Sequence, residues 1–131
     1  MRLTNISINR RNKKICHIPV IASINCYSDS EWVDFATMMK DRADALEINI
    51  LSLQTDKDYT PGSFEQRHID ILCHIKKVVK IPVIMKLGSN LTNPVALINQ
   101  LYANGAAAVV LFNRFYQTDI NIDTMLSPVP M

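Results

Sequence analysis

Glycine is scarce in this sequence: Gly62, Gly88 and Gly105 are the only three in 131 residues. Neither GxGxxG nor GxxxxGK[ST] can be written with them, which excludes nucleotide binding through either glycine-rich loop. A fold dependent on many glycine hairpin turns is excluded for the same reason. The chain also lacks an excess of one charge. Its 14 Lys and Arg against 12 Asp and Glu leave +2, too little for an electrostatic footprint on nucleic acid or a membrane surface. Arg10, Arg11, Lys13 and Lys14 have no interleaved aromatics and read as a solvated helix face. No apolar run approaches the ~18–20 residues of a membrane span. Residues 1–14 are polar and basic, without the apolar segment of a secretory signal. Cys16, Cys26 and Cys73 form no CxxC and read as reduced cysteines of a cytoplasmic protein. No His, Cys, Asp and Glu spacing suits a metal.

What is present is a recurring alternation of apolar runs and amphipathic stretches. At 48% apolar residues, the chain can bury a core. Four short runs read as strands: His17–Ile24, Ala43–Ile50, Ile81–Leu87 and Ala106–Phe112. They are apolar without alternation, as expected for parallel strands buried on both faces. Helical patterns lie between them. Ser28 with Glu31 predicts a capping box ahead of Trp32, Phe35 and Met39. Ser63 with Gln66 predicts another ahead of Ile69, Leu72, Ile75 and Val79. Asn93 caps a third helix with Pro94 at its first position, and Asn104-Gly105 stops it. Residues 10–15 read as the end of a further helix. Trp32, Met38 and Met39 read as core. Such an order predicts an α/β fold with a parallel sheet and right-handed crossovers.

The chain also repeats itself. Ile18-Pro19-Val20-Ile21 returns as Ile81-Pro82-Val83-Ile84, 63 residues later, and Arg42 to Leu46 is answered by Gly105 to Val109 at the same offset. Each βα unit is thus ~31 residues, and eight of them would make the ~250 residues of a (β/α)8 barrel. The expected architecture is a partial (β/α)8 TIM barrel of about four parallel strands. Residues 1–13 read as a basic segment, 14–123 as the half-barrel and 124–131 as a tail. Both chain ends read as cut. A flavodoxin-like sheet is the rival, but it requires a fifth strand the pattern does not supply.

Chemistry in parallel sheets collects at the carboxyl ends of strands. Those ends carry Ser23 and Asn25, then Asn49 and Ser52, then Lys86, then Asn113 and Arg114. An ammonium inside IPVIMKL is costly to bury unless paired, and it suits an anionic or electron-accepting ligand. The Asn amides suit a ring edge bearing carbonyl and N–H groups. They also suit simple strand termination. Ser52 is a candidate nucleophile or proton-transfer group. No His shares that rim, because His17 stands at the opposite, opening end of its strand while His68 and His74 lie on a helix, so a Ser-His hydrolase is disfavoured. The connection from Leu51 to Ser63 is the longest, and a long loop at this rim reads as a lid or binding loop.

These segments resemble the central part of the dihydroorotate dehydrogenase family, flavin-dependent (β/α)8 enzymes. The segments concerned are IPVIASIN (18–25), WVDFA to DALEIN (32–49), EQRHIDIL to IPVIMKL (65–87) and LFNRFYQTDI (111–120). The likeness runs from about Lys14 to Asp123. It implies FMN as cofactor and a pyrimidine-type substrate. The implied reaction is a CH–CH dehydrogenation, with hydride transfer to the flavin and a base removing the neighbouring proton. Residue by residue, it places Asn25, Asn49 and Lys86 against the flavin. It places Asn49 and Asn113 against substrate, and Ser52 at the position of the base. The sequence departs from the family pattern at Leu53 and Gln54, where Pro and Asn follow the base, and at Arg114, where Ser or Thr is usual. The strands that complete the flavin site, and those whose loops hold its phosphate, lie outside the resemblance. The chain by itself is therefore expected to be an inactive fragment. A second reading is a non-enzymatic half-barrel that self-associates. Open sheet edges predict a homodimer or other homo-oligomer. A third reading, a small flavodoxin-like FMN module, needs a phosphate loop after the first strand, for which residues 25–30 are poorly suited.

Overall fold

The computed structural model describes residues 17–25, 29–50 and 58–114. In chain order the elements are β1 (Ile21–Ile24), α1 (Asp29–Met39), β2 (Ala45–Asn49), α2 (Ser63–Val78), β3 (Val83–Leu87), α3 (Pro94–Ala103) and β4 (Ala108–Leu111). The four strands form one parallel sheet in the order β1-β2-β3-β4. Doubly wound folds reverse their strand order at a switch point and carry helices on both faces. Neither feature occurs among the described residues. One apolar cluster joins Ala22 and Ile24, Leu46 and Ile48, and Val83, Met85 and Leu87 to side chains of all three helices. The helices therefore cover a single face of the sheet, the arrangement of a barrel segment. No helix among the described residues is long and apolar enough to cross a membrane.

The strands are shorter than the sequence pattern suggests. Pro19 and Pro82 lack the N–H that a ladder needs. After Pro19, the Val20 N–H donates to the Asp44 carboxylate at 2.9 Å instead of entering the sheet, while the Asp44 N–H donates to the Val20 carbonyl at 2.8 Å. Burial on both faces also fails. Along β2 and β3, buried side chains alternate with half-buried ones. Helices cover one face, and the other carries Ser23, Glu47, Asn49 and Lys86.

The three helices bury the expected stripes. On α1, Trp32 and Met39 are buried and Phe35 packs beside them, but Met38 is 37% exposed and is not core. On α2, Ile69, Leu72 and Ile75 face inward, with Val79 just beyond its end. The α2 start corrects the expected capping box. Its N-cap is Gly62 in the left-handed region at φ 85°, with no side-chain cap. Ser63 is already helical, and Gln66 Nε2 donates to Asp70 one turn on. The Thr60-Pro61-Gly62 turn takes the place of the cap, its Thr60 carbonyl accepting the Ser63 N–H. The α3 start follows the sequence: Asn93 Oδ1 accepts the Ala96 N–H at 3.0 Å, with Pro94 first in the helix. Gly105, at φ 90°, ends it and lets the Ala106 N–H reach the Leu101 carbonyl. Ser28, the basic segment at 10–15, residues 51–57 of the long loop and the boundaries at 13 and 123 lie outside the described residues.

The internal repeat is carried into the hydrogen-bonded register. Ile21, Ala22, Ser23 and Ile24 pair with Ala45, Leu46, Glu47 and Ile48. Adding 63 to each number gives the β3–β4 pairs: Ile84, Met85, Lys86 and Leu87 with Ala108, Val109, Val110 and Leu111.

Candidate functional site

Strand parity decides what lies opposite the helices. Side chains two apart share a face, so Glu47 and Asn49 on β2 leave the core together, as do Ile84 and Lys86 on β3. Register sets Asn49 beside Lys86 and Ser23 beside Glu47. The result is a connected polar patch. Ser23 Oγ donates to Glu47 Oε1 at 2.7 Å, and Lys86 Nζ lies 3.7 Å from the same oxygen. Two residues beyond the end of β4, the Asn113 N–H donates to the Leu87 carbonyl at 2.7 Å. That bond brings the Asn113 side chain over the sheet, where its Nδ2 donates to Asn49 Oδ1. Asn113 Oδ1 accepts the Arg114 N–H at 3.1 Å.

Of the five residues that the resemblance assigns to cofactor, substrate or base, three thus meet on one face: Asn49, Lys86 and Asn113, all half-buried. Asn25 lies exposed just beyond β1, with no bond to the other three. Ser52 lies outside the described residues. Glu47 was missed, although its signal was present: a carboxylate inside the apolar strand ALEIN, two residues before Asn49. It answers the cost of burying the Lys86 ammonium. The side chains of Lys86 and Glu47 are 27% and 19% exposed, so each is partly desolvated and each supplies the other's counter-charge.

No family model matches the chain. It is similar to the catalytic subunits named dihydroorotate dehydrogenase B (NAD(+)) of three organisms, over 107 residues in each. Identity is 31% to that of Methanocaldococcus jannaschii, 30% to that of Caldicellulosiruptor bescii and 29% to that of Caldicellulosiruptor saccharolyticus. The similarity to dihydroorotate dehydrogenases is distant. Each match covers 80% of this chain but 35% of the relative, so the chain spans about a third of the length of the curated relatives it matches.

Two titratable groups on α2 stand apart from the polar face. Glu65 Oε1 accepts the Thr92 N–H at 3.1 Å, and this bond holds its carboxyl below the usual range. Glu65 also lines a cleft of about 370 Å³ between α2 and α3, with Tyr59, Ile69, Thr92, Leu97 and Gln100. That cleft belongs to the helix layer and shares no residue with the polar face. His68 is fully buried, its Nδ1 hydrogen-bonded to the Phe64 carbonyl at 2.7 Å and its ring edge-on to Phe64. Burial lowers its pKa, only partly offset by the Phe64 bond and the Glu65 charge. His68 is thus a helix-packing residue, as its place in the sequence suggests.

Both groups weaken the fold in acid. A buried His that resists protonation lets the unfolded chain bind more protons, so stability falls as pH drops below the ordinary His value near 6.5 towards the lowered folded one. Glu65 adds stability that is present above the ordinary 4.5 and lost as pH falls through its lowered folded pKa. The denaturant midpoint of His68→Leu should therefore be flatter than wild type just below pH 6.5 and still fall at lower pH. An unchanged slope in the first window would assign the acid sensitivity elsewhere.

Proposed function

We propose that the polar face holds the ring edge of a flavin, FMN, in a dehydrogenase of the dihydroorotate dehydrogenase type, and that this chain supplies the central part of its site. The observation that carries the reading is the juxtaposition at adjacent strand ends of the Asn49–Asn113 amide pair and the Lys86–Glu47 ion pair. The donor set suits the group. Among the described residues, Asn49 Nδ2 is left as a free donor, and Lys86 offers positive charge where a reduced flavin ring accumulates negative charge. Asn49 and Asn113 would fix the orientation of the ring, while Glu47 and Ser23 hold Lys86 in register. Bound FMN would accept a hydride from a CH–CH bond of a pyrimidine-type substrate. Ser52, the second residue of the Leu51–Ser63 connection, is proposed as the group that takes the accompanying proton. Asn25 is proposed as a further contact to the ring from β1. The three glycines of the chain build no phosphate-binding loop, so the flavin phosphate would depend on other strands. Turnover is accordingly not expected from four strands alone.

Visible absorbance of the chain after incubation with FMN and desalting tests the reading. Wild type should retain flavin. Lys86→Ala and Asn113→Ala should each weaken retention about tenfold, the effect of about 1.4 kcal/mol. A folded wild-type chain that emerges colourless would remove flavin binding from it. Retention equal in all three proteins would move the flavin off this face.

A further inference from the structure

The outer edges of β1 and β4 have no strand beside them among the described residues. Apolar side chains lie exposed along both. Ile18 is 72% and Ile21 54% exposed at β1, and Leu111 is 50% and Phe112 47% exposed at β4. Unpaired strand edges with apolar flanks are templates for another strand. The question is which strand fits.

The repeat answers it. β1 pairs with β2 in the same register as β3 with β4, 63 residues on. Under that correspondence β2 maps onto β4, and β3 maps back onto β1. The β2–β3 pairs Leu46 with Val83, Glu47 with Ile84 and Ile48 with Met85 then become Val109 with Val20, Val110 with Ile21 and Leu111 with Ala22. Within one chain, β1 and β4 lie at opposite edges of the sheet, so the pairing is available only between two copies. We infer that two copies of this chain associate about a two-fold axis, β4 of each against β1 of the other in that register, closing an eight-stranded parallel barrel.

The registers supply an independent check. Ile24 pairs with Ile48, Ile48 with Met85 and Met85 with Val109, and Val109 would then meet Val20 of the second copy. One passage through a copy lowers the position by four residues, and the circuit through two copies lowers it by eight. Eight parallel strands with a shear of eight is the closed (β/α)8 geometry. Slipping the new pair by one residue would change that total and turn one strand's helix face inward. In the inferred register, Val110 and Ile21 share the polar-face side, while Leu111 and Ala22 share the helix side. Pairing also covers the exposed apolar side chains at both edges, and it sets two Asn49–Asn113 pairs around one mouth.

The mass of the 131-residue chain in solution, by light scattering on a sizing column without added flavin, is the first test. Twice 14.9 kDa is expected. Ile21→Asp with Phe112→Asp should give a monomer with wild-type far-ultraviolet dichroism, because both sites are already half exposed in one copy. Should that variant not fold, cysteine pairs decide the register. With Cys16, Cys26 and Cys73 changed to Ser, Ile21→Cys with Val110→Cys should oxidise to a covalent dimer at least about tenfold faster than Ser23→Cys with Val110→Cys, which is two residues out of register. A monomeric wild type overturns the inference, including one whose own residues outside 17–114 cap the edges. So does any other stoichiometry, or cross-linking that favours Ser23. The mass is read without flavin, so this outcome and that of the flavin test are separate.

Discussion

Leu72→Ala is expected to destabilise the fold by about 2–5 kcal/mol, the cost of deleting a buried leucine side chain and leaving a cavity. Leu72 is fully buried on the inward stripe of α2, the helix that packs against both α1 and α3. It belongs to the cluster that joins α2 to the helix-facing residues of the sheet. Alanine is as good a helix former as leucine, so the loss reports packing rather than helicity. Lys77→Ala on the same helix, at an exposed position, should stay within about 0.5 kcal/mol. Small domains hold only about 5–15 kcal/mol in total, and the leucine variant should therefore shift the urea midpoint by a large fraction of its range. A shift below about 1 kcal/mol would mean that α2 does not seat on the sheet as described.

Glu47→Ala is expected to cost about 1–2 kcal/mol, the lower part of the range for a charge-assisted hydrogen bond, because solvent still reaches both charges. The change removes the acceptor of the Ser23 hydroxyl and the counter-charge of Lys86 together. Glu47→Gln separates the two effects: an amide oxygen still accepts from Ser23 but offers no charge to Lys86. Combining Glu47→Ala with Lys86→Met should cost less than the two single changes added, with a coupling of at least about 0.5 kcal/mol. Strict additivity in urea titrations would show that the 3.7 Å pair contributes nothing and that Lys86 is held by other means.

Much of the architecture was legible in the residues, for identifiable reasons. The apolar runs located all four strands, and the 63-residue echo of Ile18-Pro19-Val20-Ile21 anticipated a register repeat that the hydrogen bonds carry out. Asn93-Pro94 and Asn104-Gly105 marked both ends of α3 because each residue there has one favourable local role. The α2 start was not legible in the same way: Ser63 and Gln66 satisfy a capping pattern, yet the Pro61-Gly62 turn delivers the chain in a left-handed conformation that leaves Ser63 inside the helix. The open face of the sheet was misread because Ile, Val and Ala occupy it alongside polar groups, which hides the alternation. Glu47 escaped notice for the opposite reason. Sought as a strand-end residue, it is mid-strand, and its meaning appears only when register sets it across from Ser23 and within reach of Lys86. Asn113 was found as a strand-end amide, but its pairing with Asn49 depends on a backbone bond two residues past the end of β4.

The sequential strand order has a kinetic consequence. Every strand pair joins neighbours along the chain, with partners 24 or 37 residues apart, so no pairing must wait for distant segments to meet. Loop-closure entropy is modest for each unit, so folding can proceed stepwise from any βαβ unit outward. Joining two such sheets would be a bimolecular event. Refolding should then show a fast phase independent of protein concentration, followed by a slower one whose rate rises with it.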